Sequence, residues 1–418
     1  MSGHAASDTP QSRKASARSQ LGLDWFAFFV ADLQTGWGPF VAAYLTSVAW
    51  TQFDIGLVLT IGTLATFTLQ IPTGAIVDRV NAKRMLAALA VVCVSASALL
   101  LALWPTFNVV VAAKVLHAVA SCLLGPTLAA ISLGLVGHAL LSVRLGRNAR
   151  FLSLGNAIAA GVMGGFGYYI SNQSIFFLTA ALCIPALVSL AQIQARDIDP
   201  DLARGGITSS QSHASSHAFR GLLQNRALLI FVGAILLFQF ANAAILPIMA
   251  GLLAKRLPET ATLILSVCIF GPQFVVAAIA PWVGRLAQSW GRRPLLSLCF
   301  VALFIRCAVF AITSEPSVVI ATQLLDGISA ATLGILVPLV IADVMRGSGH
   351  FNLAQGAVGA AVGIGASFST TVAGYIADGF GSSAAFLFLS GVSITGLVLV
   401  VSLMPETRDT QSGGREAT

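Results

Sequence analysis

The sequence predicts an all-α polytopic membrane protein with twelve transmembrane helices in two six-helix bundles. Three observations predict it. Only 9% of the 418 residues are charged and 56% are hydrophobic, whereas a soluble chain of this length carries about 25% charged residues. Apolar runs recur from Trp25 to the end, each near the roughly 20 residues that a helix needs to cross a bilayer. Finally, polar landmarks of the first half return in the second at nearly constant spacing.

The elements follow in order. Residues 1–22 open with "MSGHAASDTPQSRKASARSQ". This stretch is polar and has no apolar core, so it reads as a disordered tail rather than a signal peptide. Spans are expected at 23–47, 54–76, 83–104, 107–134, 147–170 and 174–193, then at 226–250, 260–283, 293–313, 316–343, 350–374 and 382–403. The segment 194–225 between the two sets is rich in Ser, Gly, His and Asp and reads as a linker. The expected division is therefore a bundle over 23–193, a linker, a bundle over 226–403 and a tail over 404–418. Six cysteines lie singly in apolar runs, without disulfide or metal-ligand spacing, and read as small buried hydrophobes. No metal or cofactor is expected.

Topology follows from Lys and Arg. The first tail holds Arg13, Lys14 and Arg18. The loops after even-numbered spans hold Arg79, Lys83, Arg84, Arg144, Arg147, Arg150, Arg196, Arg204, Arg220, Arg226, Arg285, Arg292, Arg293 and Arg346. The opposite loops carry Lys255 and Arg256. Basic residues stay on the cytoplasmic side, so both termini and the linker are expected there, in a multi-pass plasma membrane protein expected in a bacterial inner membrane. The net charge of +7 is a topology signal, and nucleic-acid binding would need a contiguous basic face.

The halves echo one another. "GAIVDRVNAKR" from Gly74 is answered by "GRLAQSWGRRP" from Gly284, 210 residues later; His117 in "HAVASCLLG" is answered by Asp326 in "DGISAATLG"; Asp32 is answered by Asn242. Such echoes are the mark of parallel repeats around a central path.

The stretch from Gly74, with Asp78, Arg79, Lys83 and Arg84, resembles the signature loop of the major facilitator superfamily of secondary transporters; Asn81 and Ala82 replace the signature's usual Gly and Arg. The resemblance covers residues 20–404. It implies the major facilitator fold, no enzymatic activity, and a latch in which Asp78 holds one side closed. Physically, Gly74 permits close helix approach. Asp78 can bond Arg79, Lys83 or the positive N-terminus of a neighbouring helix, while the bases can equally anchor topology. In the second copy Gln288 takes the acidic place, with Gly284, Arg292 and Arg293 retained, so it is expected to be the weaker latch.

Ionisable groups at mid-bilayer are costly and face a cavity or a partner. Asp32 lies about 13 Å into its span, counted at 1.5 Å per residue. His117 and Asp326 lie at similar depth, and the family fold places all three on helices lining the cavity. Asp32 is a candidate for loading and releasing a proton, or for packing against Gln34 or Thr35. His117, with an ordinary pKa near 6.5, Asp326 and Asn242 are candidates for coupling or substrate binding. Lys114, one turn from His117, can pair with Asp32, attract an anion, or extend to the membrane edge. Arg306 lies about seven residues from its span's end and is expected to extend outward. Trp37, Gln34, Phe40, Tyr44 and Gln239 are candidates for the cavity wall.

No Gly-x-x-x-x-Gly-Lys phosphate cradle occurs. The function expected is proton-coupled secondary transport of a small organic solute by alternating access, and the family resemblance leans it slightly to export of an amphiphilic or anionic compound, drug- or siderophore-like. Proton symport for uptake and passive uniport are the alternatives. The expected partners are the solute, protons and the lipid bilayer, with the chain acting as a monomer.

Overall fold

The computed structural model describes residues 16–206 and 222–408, apart from residues 36, 38, 223 and 257–260. The first part forms α1 (Ala17–Thr35), α2 (Pro39–Ser47), α3 (Gln52–Arg79), α4 (Lys83–Leu103), α5 (Phe107–Tyr169), α6 (Ser174–Ala181) and α7 (Cys183–Gln192). The second forms α8 (Arg226–Asn242), α9 (Ile245–Arg256), α10 (Ala261–Ser289), α11 (Arg292–Ile312), α12 (Pro316–Val344), α13 (Phe351–Phe380) and α14 (Ser382–Leu403). Among the described residues, ten helical stretches are long and apolar enough to cross a membrane.

Twelve spans were expected, and two places account for the difference. The first expected span is divided into α1 and α2, with Trp37 between them in a turn. The fourth and fifth run on as α5, whose 63 residues are interrupted by Gly137 at φ 66° and ψ 178°. A straight helix of that length would reach about 95 Å, about three times the hydrocarbon thickness, so the break at Gly137 must return the chain. The left-handed φ there is one that glycine alone adopts without strain. The loop expected over 135–146 thus shrinks to one residue, and Arg144 lies in a helix.

Local sequence explains several ends. Thr51 caps α3 by accepting the Asp54 amide at 3.1 Å, and Asn225 caps α8 by accepting that of Leu228 at 3.1 Å. Pro316 opens α12, where no helical N–H is lost.

Buried apolar residues fall into two principal cores. One draws on residues from Leu23 to Ala203. The other draws on residues from Leu222 to Met404, joined by Ala129, Leu133, Leu141, Leu145 and Ala149 of α5. Helices touch backbone to backbone where glycine leaves room. A Cβ on Gly146 of α5 would lie 2.6 Å from the Ala280 carbonyl oxygen of α10. One on Gly284 of α10 would lie 2.5 Å from that of Ser142. Both distances are far inside van der Waals contact, so only glycine permits this crossing.

The start of α1 is tied to the segment after α7. Asp197 Oδ2 accepts from Ser16 Oγ at 2.6 Å and Ser19 Oγ at 2.7 Å, and Ser19 Oγ accepts the Gln194 amide at 2.9 Å. These hydroxyls, Ser16 first, hold the Asp197 carboxyl below its ordinary value. A lowered carboxyl contributes to the tether fully above pH about 4 and loses that contribution as pH falls through the lowered value. Replacing Asp197 with Ala should therefore accelerate tryptic cleavage after the exposed Arg18 at neutral pH. Unchanged cleavage would mean that the tether does not hold the helix start.

Candidate functional site

In the first half, Trp37 gathers the polar residues. It is 5% exposed. The His117 imidazole stacks on its indole with centroids 4.1 Å apart and planes at 19°. The Lys114 ammonium stands 5.5 Å from the ring centroid, within reach of the ring's negative face. One turn on, Ser121 Oγ lies 3.1 Å from His117 Nε2. Phe176 completes the wall between Trp37, at 6.2 Å, and Tyr44, at 5.3 Å. Tyr44 donates its hydroxyl to the Ala102 carbonyl at 3.1 Å, so its ring is fixed from both ends.

Asp32 is buried at 4% exposure, and its Oδ1 has no hydrogen-bond partner among the described residues. The pairing with Lys114 is not formed: among the described residues Lys114 has no ion-pair partner, and it packs at Gly62, where a Cβ would meet its Cε at 3.0 Å. Nor does Gln34, half-buried, bond to Asp32 Oδ1. Phe40 packs instead against a small cluster of Ala159, Met163 and Ile175.

In the second half an arginine organises the group. Arg306 of α11 donates from one guanidinium nitrogen to Asp326 Oδ1 at 2.6 Å and to Asn242 Oδ1 at 2.7 Å. Its other terminal nitrogen reaches Gln323 Oε1 at 3.1 Å. The expectation that Arg306 extends to the membrane edge is overturned. Its side chain is 1% exposed, against 25% for Asp326. The reason is the carboxylate and two amides that α8 and α12 present to it, since a buried guanidinium is held only where its charge and donors are met. Gln239 lies beside this group on α8, packed at Gly365, whose Cβ would approach its own at 3.2 Å.

The two groups occupy matching positions. Asn242 and Asp326 answer Asp32 and His117, and Gln323 stands 209 residues after Lys114. At 209 residues before Arg306 stands Ser97, whose hydroxyl bonds the Val94 carbonyl at 2.8 Å. One half thus carries its cation on α11 and the other on α5. Two surface clefts among the described residues, one over Asn81–Ala88 and α7 and one between α5 and α10, are not lined by these residues.

The basic end is bound by a different network. Asp78, at the last turn of α3, caps α13. Its Oδ1 accepts the Asn352 amide at 3.0 Å and the Asn352 side-chain nitrogen at 2.8 Å, and its Oδ2 accepts the Leu353 amide at 2.8 Å. Of the three partners the sequence allowed, the helix N-terminus holds it. Gly74 sits where any Cβ would strike the Asn352 carbonyl. Lys83, 1% exposed, donates to the Val77 carbonyl. Arg84 reaches the Ala191 carbonyl at 3.5 Å, and Arg79 is exposed.

In the second copy Gln288 donates to the Ala139 carbonyl at 2.7 Å. Arg292 pairs with Asp343 at 2.9 Å. Glu406, beyond α14, accepts the amides of Arg292 and Arg293 at 2.8 and 3.1 Å and so caps α11. Thr407 reaches Asp343 at 3.4 Å, and Arg408 donates to the Ser289 carbonyl.

A third network was not foreseen. Asp24 of α1, fully buried, accepts from Arg144 at 2.6 Å and also pairs with Arg147. Arg144 continues to Asn148 at 2.9 Å, and Asn148 to Ser132 at 2.7 Å. An acid near the start of a span and two bases assigned to a loop gave no hint that they meet.

The family model described as Major Facilitator Superfamily matches residues 25–272 and 235–418. The chain belongs to the major facilitator superfamily. This MFS protein is similar to an MFS-type transporter of Mycobacterium tuberculosis, with 38% identity over 389 residues, 93% of each chain. Over 136 residues, 32% of each chain, it is 29% identical to the class B tetracycline resistance protein of Escherichia coli. Its fold is similar to that of the human organic anion transporter MFSD10, with a TM-score of 0.68 and 15% identity over 94% of this chain and 100% of the other. It is likewise similar to that of the transporter FucP in an outward conformation, with a TM-score of 0.66 and 15% identity over 92% and 97%. The protein is thus a multi-pass integral membrane protein that moves a small molecule across the bilayer by secondary active transport, and it is not an enzyme.

Proposed function

We propose that this MFS protein couples proton movement to the export of an amphiphilic or anionic organic solute. The carrying observation is Asp32, a buried carboxyl with an oxygen that no group among the described residues satisfies. A proton and a hydrogen-bond donor on a solute compete for that oxygen, and competition for one group makes the two bind in turn, as exchange requires. Lys114 and the half-buried His117, both set on the Trp37 indole, offer positive or donating groups to the solute's polar end, with Tyr44 and Phe176 packed behind Trp37 as its support. The similarity to a tetracycline resistance protein over 136 residues supports an amphiphilic cargo.

In this reading the chain crosses the membrane twelve times. The broken α1–α2 pair serves as the first crossing, and the break at Gly137 divides α5 into two. The bundles span 23–193 and 226–403 and rock about a central path. Both ends and the linker lie in the cytoplasm of a bacterium, and the monomer is the working unit.

Proton symport of an anion is a second reading, favoured by the Arg306–Asp326 pair. Protonating Asp326 would free the guanidinium for a carboxylate, so that proton and anion bind together.

One experiment addresses both. The full chain in liposomes with an internal pH dye is screened against amphiphilic and anionic compounds, beside Asp32→Asn and Asp326→Asn. Exchange predicts compound-driven proton flux opposite to the solute and abolished in Asp32→Asn. Flux in the same direction, abolished in Asp326→Asn, would establish symport. Solute movement without proton flux in the unsubstituted protein would overturn proton coupling altogether.

A further inference from the structure

Beside the Gly146–Gly284 crossing of α5 and α10 lies a cleft of about 560 Å³ that takes no part in the polar groups described above. Three arginines line it: Arg147 and Arg150 from α5, and Arg285 from α10. Arg150 and Arg285 have no hydrogen-bond or ion-pair partner among the described residues, and both are exposed. Arg147 gives one end to Asp24 yet remains 46% exposed. No acidic residue is among the described residues that line the cleft. Its remaining surface is apolar, formed by Val143, Phe151 and Leu154 of α5 and Pro281 of α10.

Aromatic rings mark its depth. Phe151 meets the Trp25 indole edge to face at 5.9 Å, and Trp25 is 42% exposed. Trp282, next to Pro281, is 58% exposed. Indoles open to the surroundings at the ends of spans gather at the level of lipid headgroups. A cleft at that level, lined by guanidinium groups and by apolar side chains, matches a ligand whose anionic and aliphatic parts are joined.

We propose that this cleft binds the phosphate headgroup of an anionic phospholipid, with Arg150 and Arg285 as its principal contacts. Guanidinium groups meet phosphate oxygens through paired N–H donors, and the apolar side chains take the first carbons of an acyl chain. Because Arg150 and Arg285 sit on different helices, a lipid held by both fastens the α5–α10 crossing. A soluble phosphate would satisfy the arginines alone and leave the apolar side chains bare.

The test is native mass spectrometry of the full chain in detergent, titrated separately with phosphatidylglycerol, phosphatidylcholine and inorganic phosphate. Phosphatidylglycerol should be retained in preference to phosphatidylcholine. Each arginine near an anionic headgroup contributes about fivefold, so Arg150→Gln with Arg285→Gln should weaken its retention by about twenty-five-fold. The corresponding pair of Lys substitutions should keep most of it, which guards against a loss caused by misfolding. Equal retention of the two lipids, or phosphatidylglycerol binding unchanged in the Gln pair, overturns the proposal. Displacement of the lipid by inorganic phosphate at comparable concentration also overturns it and assigns the cleft to a soluble anion.

Discussion

Asp78→Ala is expected to loosen the N-terminus of α13. The carboxylate takes three hydrogen bonds there, from the Asn352 amide, the Asn352 side chain and the Leu353 amide. It is itself 6% exposed, so water cannot readily replace it. Hydrogen bonds to a charged acceptor are worth about 1.5–3 kcal/mol each, and donors left unmet in a buried place carry a further penalty. Allowing for relaxation, a loss of about 3 kcal/mol is a reasonable expectation. In hydrogen exchange this corresponds to roughly a hundredfold faster exchange of the Asn352 and Leu353 amides. The α3–α13 contact should loosen with it, because Gly74 and Asn352 meet backbone to backbone only while that helix end stays in place. Protection at Asn352 and Leu353 equal to that of the unsubstituted protein would show that Asp78 does not hold this end.

The second large effect concerns Arg306. Asp326→Ala leaves a guanidinium, 1% exposed, with two amide oxygens and no counter-charge among the described residues. Removing one partner of a buried pair costs about 3–5 kcal/mol, whereas replacing both by apolar residues of similar size is often neutral. Asp326→Ala should thus lower the thermal unfolding temperature in detergent well below that of the double variant Arg306→Met with Asp326→Leu. The double variant should recover most of the stability while its solute flux in liposomes stays low. Recovery of both would make the pair a packing device. If the single variant unfolds at the unsubstituted temperature, the guanidinium has another counter-charge.

Much of this architecture was legible in the sequence, and the exceptions share a cause. Apolar runs announce helices because a buried helix must be apolar around most of its surface. The acid Asp78 at a helix exit announced an electrostatic contact. Its partner could not be read, because it is mostly backbone N–H, which nearly every residue carries, and it lies 274 residues away. Arg306 was misjudged because counting along a helix gives depth and says nothing of which neighbours the side chain faces. The pairing of Asp24 with Arg144 was invisible for the same reason. Gly137 was hidden differently: a reversal made by one left-handed residue needs none of the polar run that marks an ordinary loop.

Glu406 sets a rule for handling the protein in the laboratory. The residues after α14 look disposable from composition, yet Glu406, Thr407 and Arg408 reach back to Arg292, Arg293, Asp343 and Ser289. A fluorescent reporter or affinity handle fused directly after Met404 would strip those contacts and uncover the start of α11. Fusions belong beyond Arg408, and a truncation series that stops at 404 would confuse tail removal with damage to the body of the transporter.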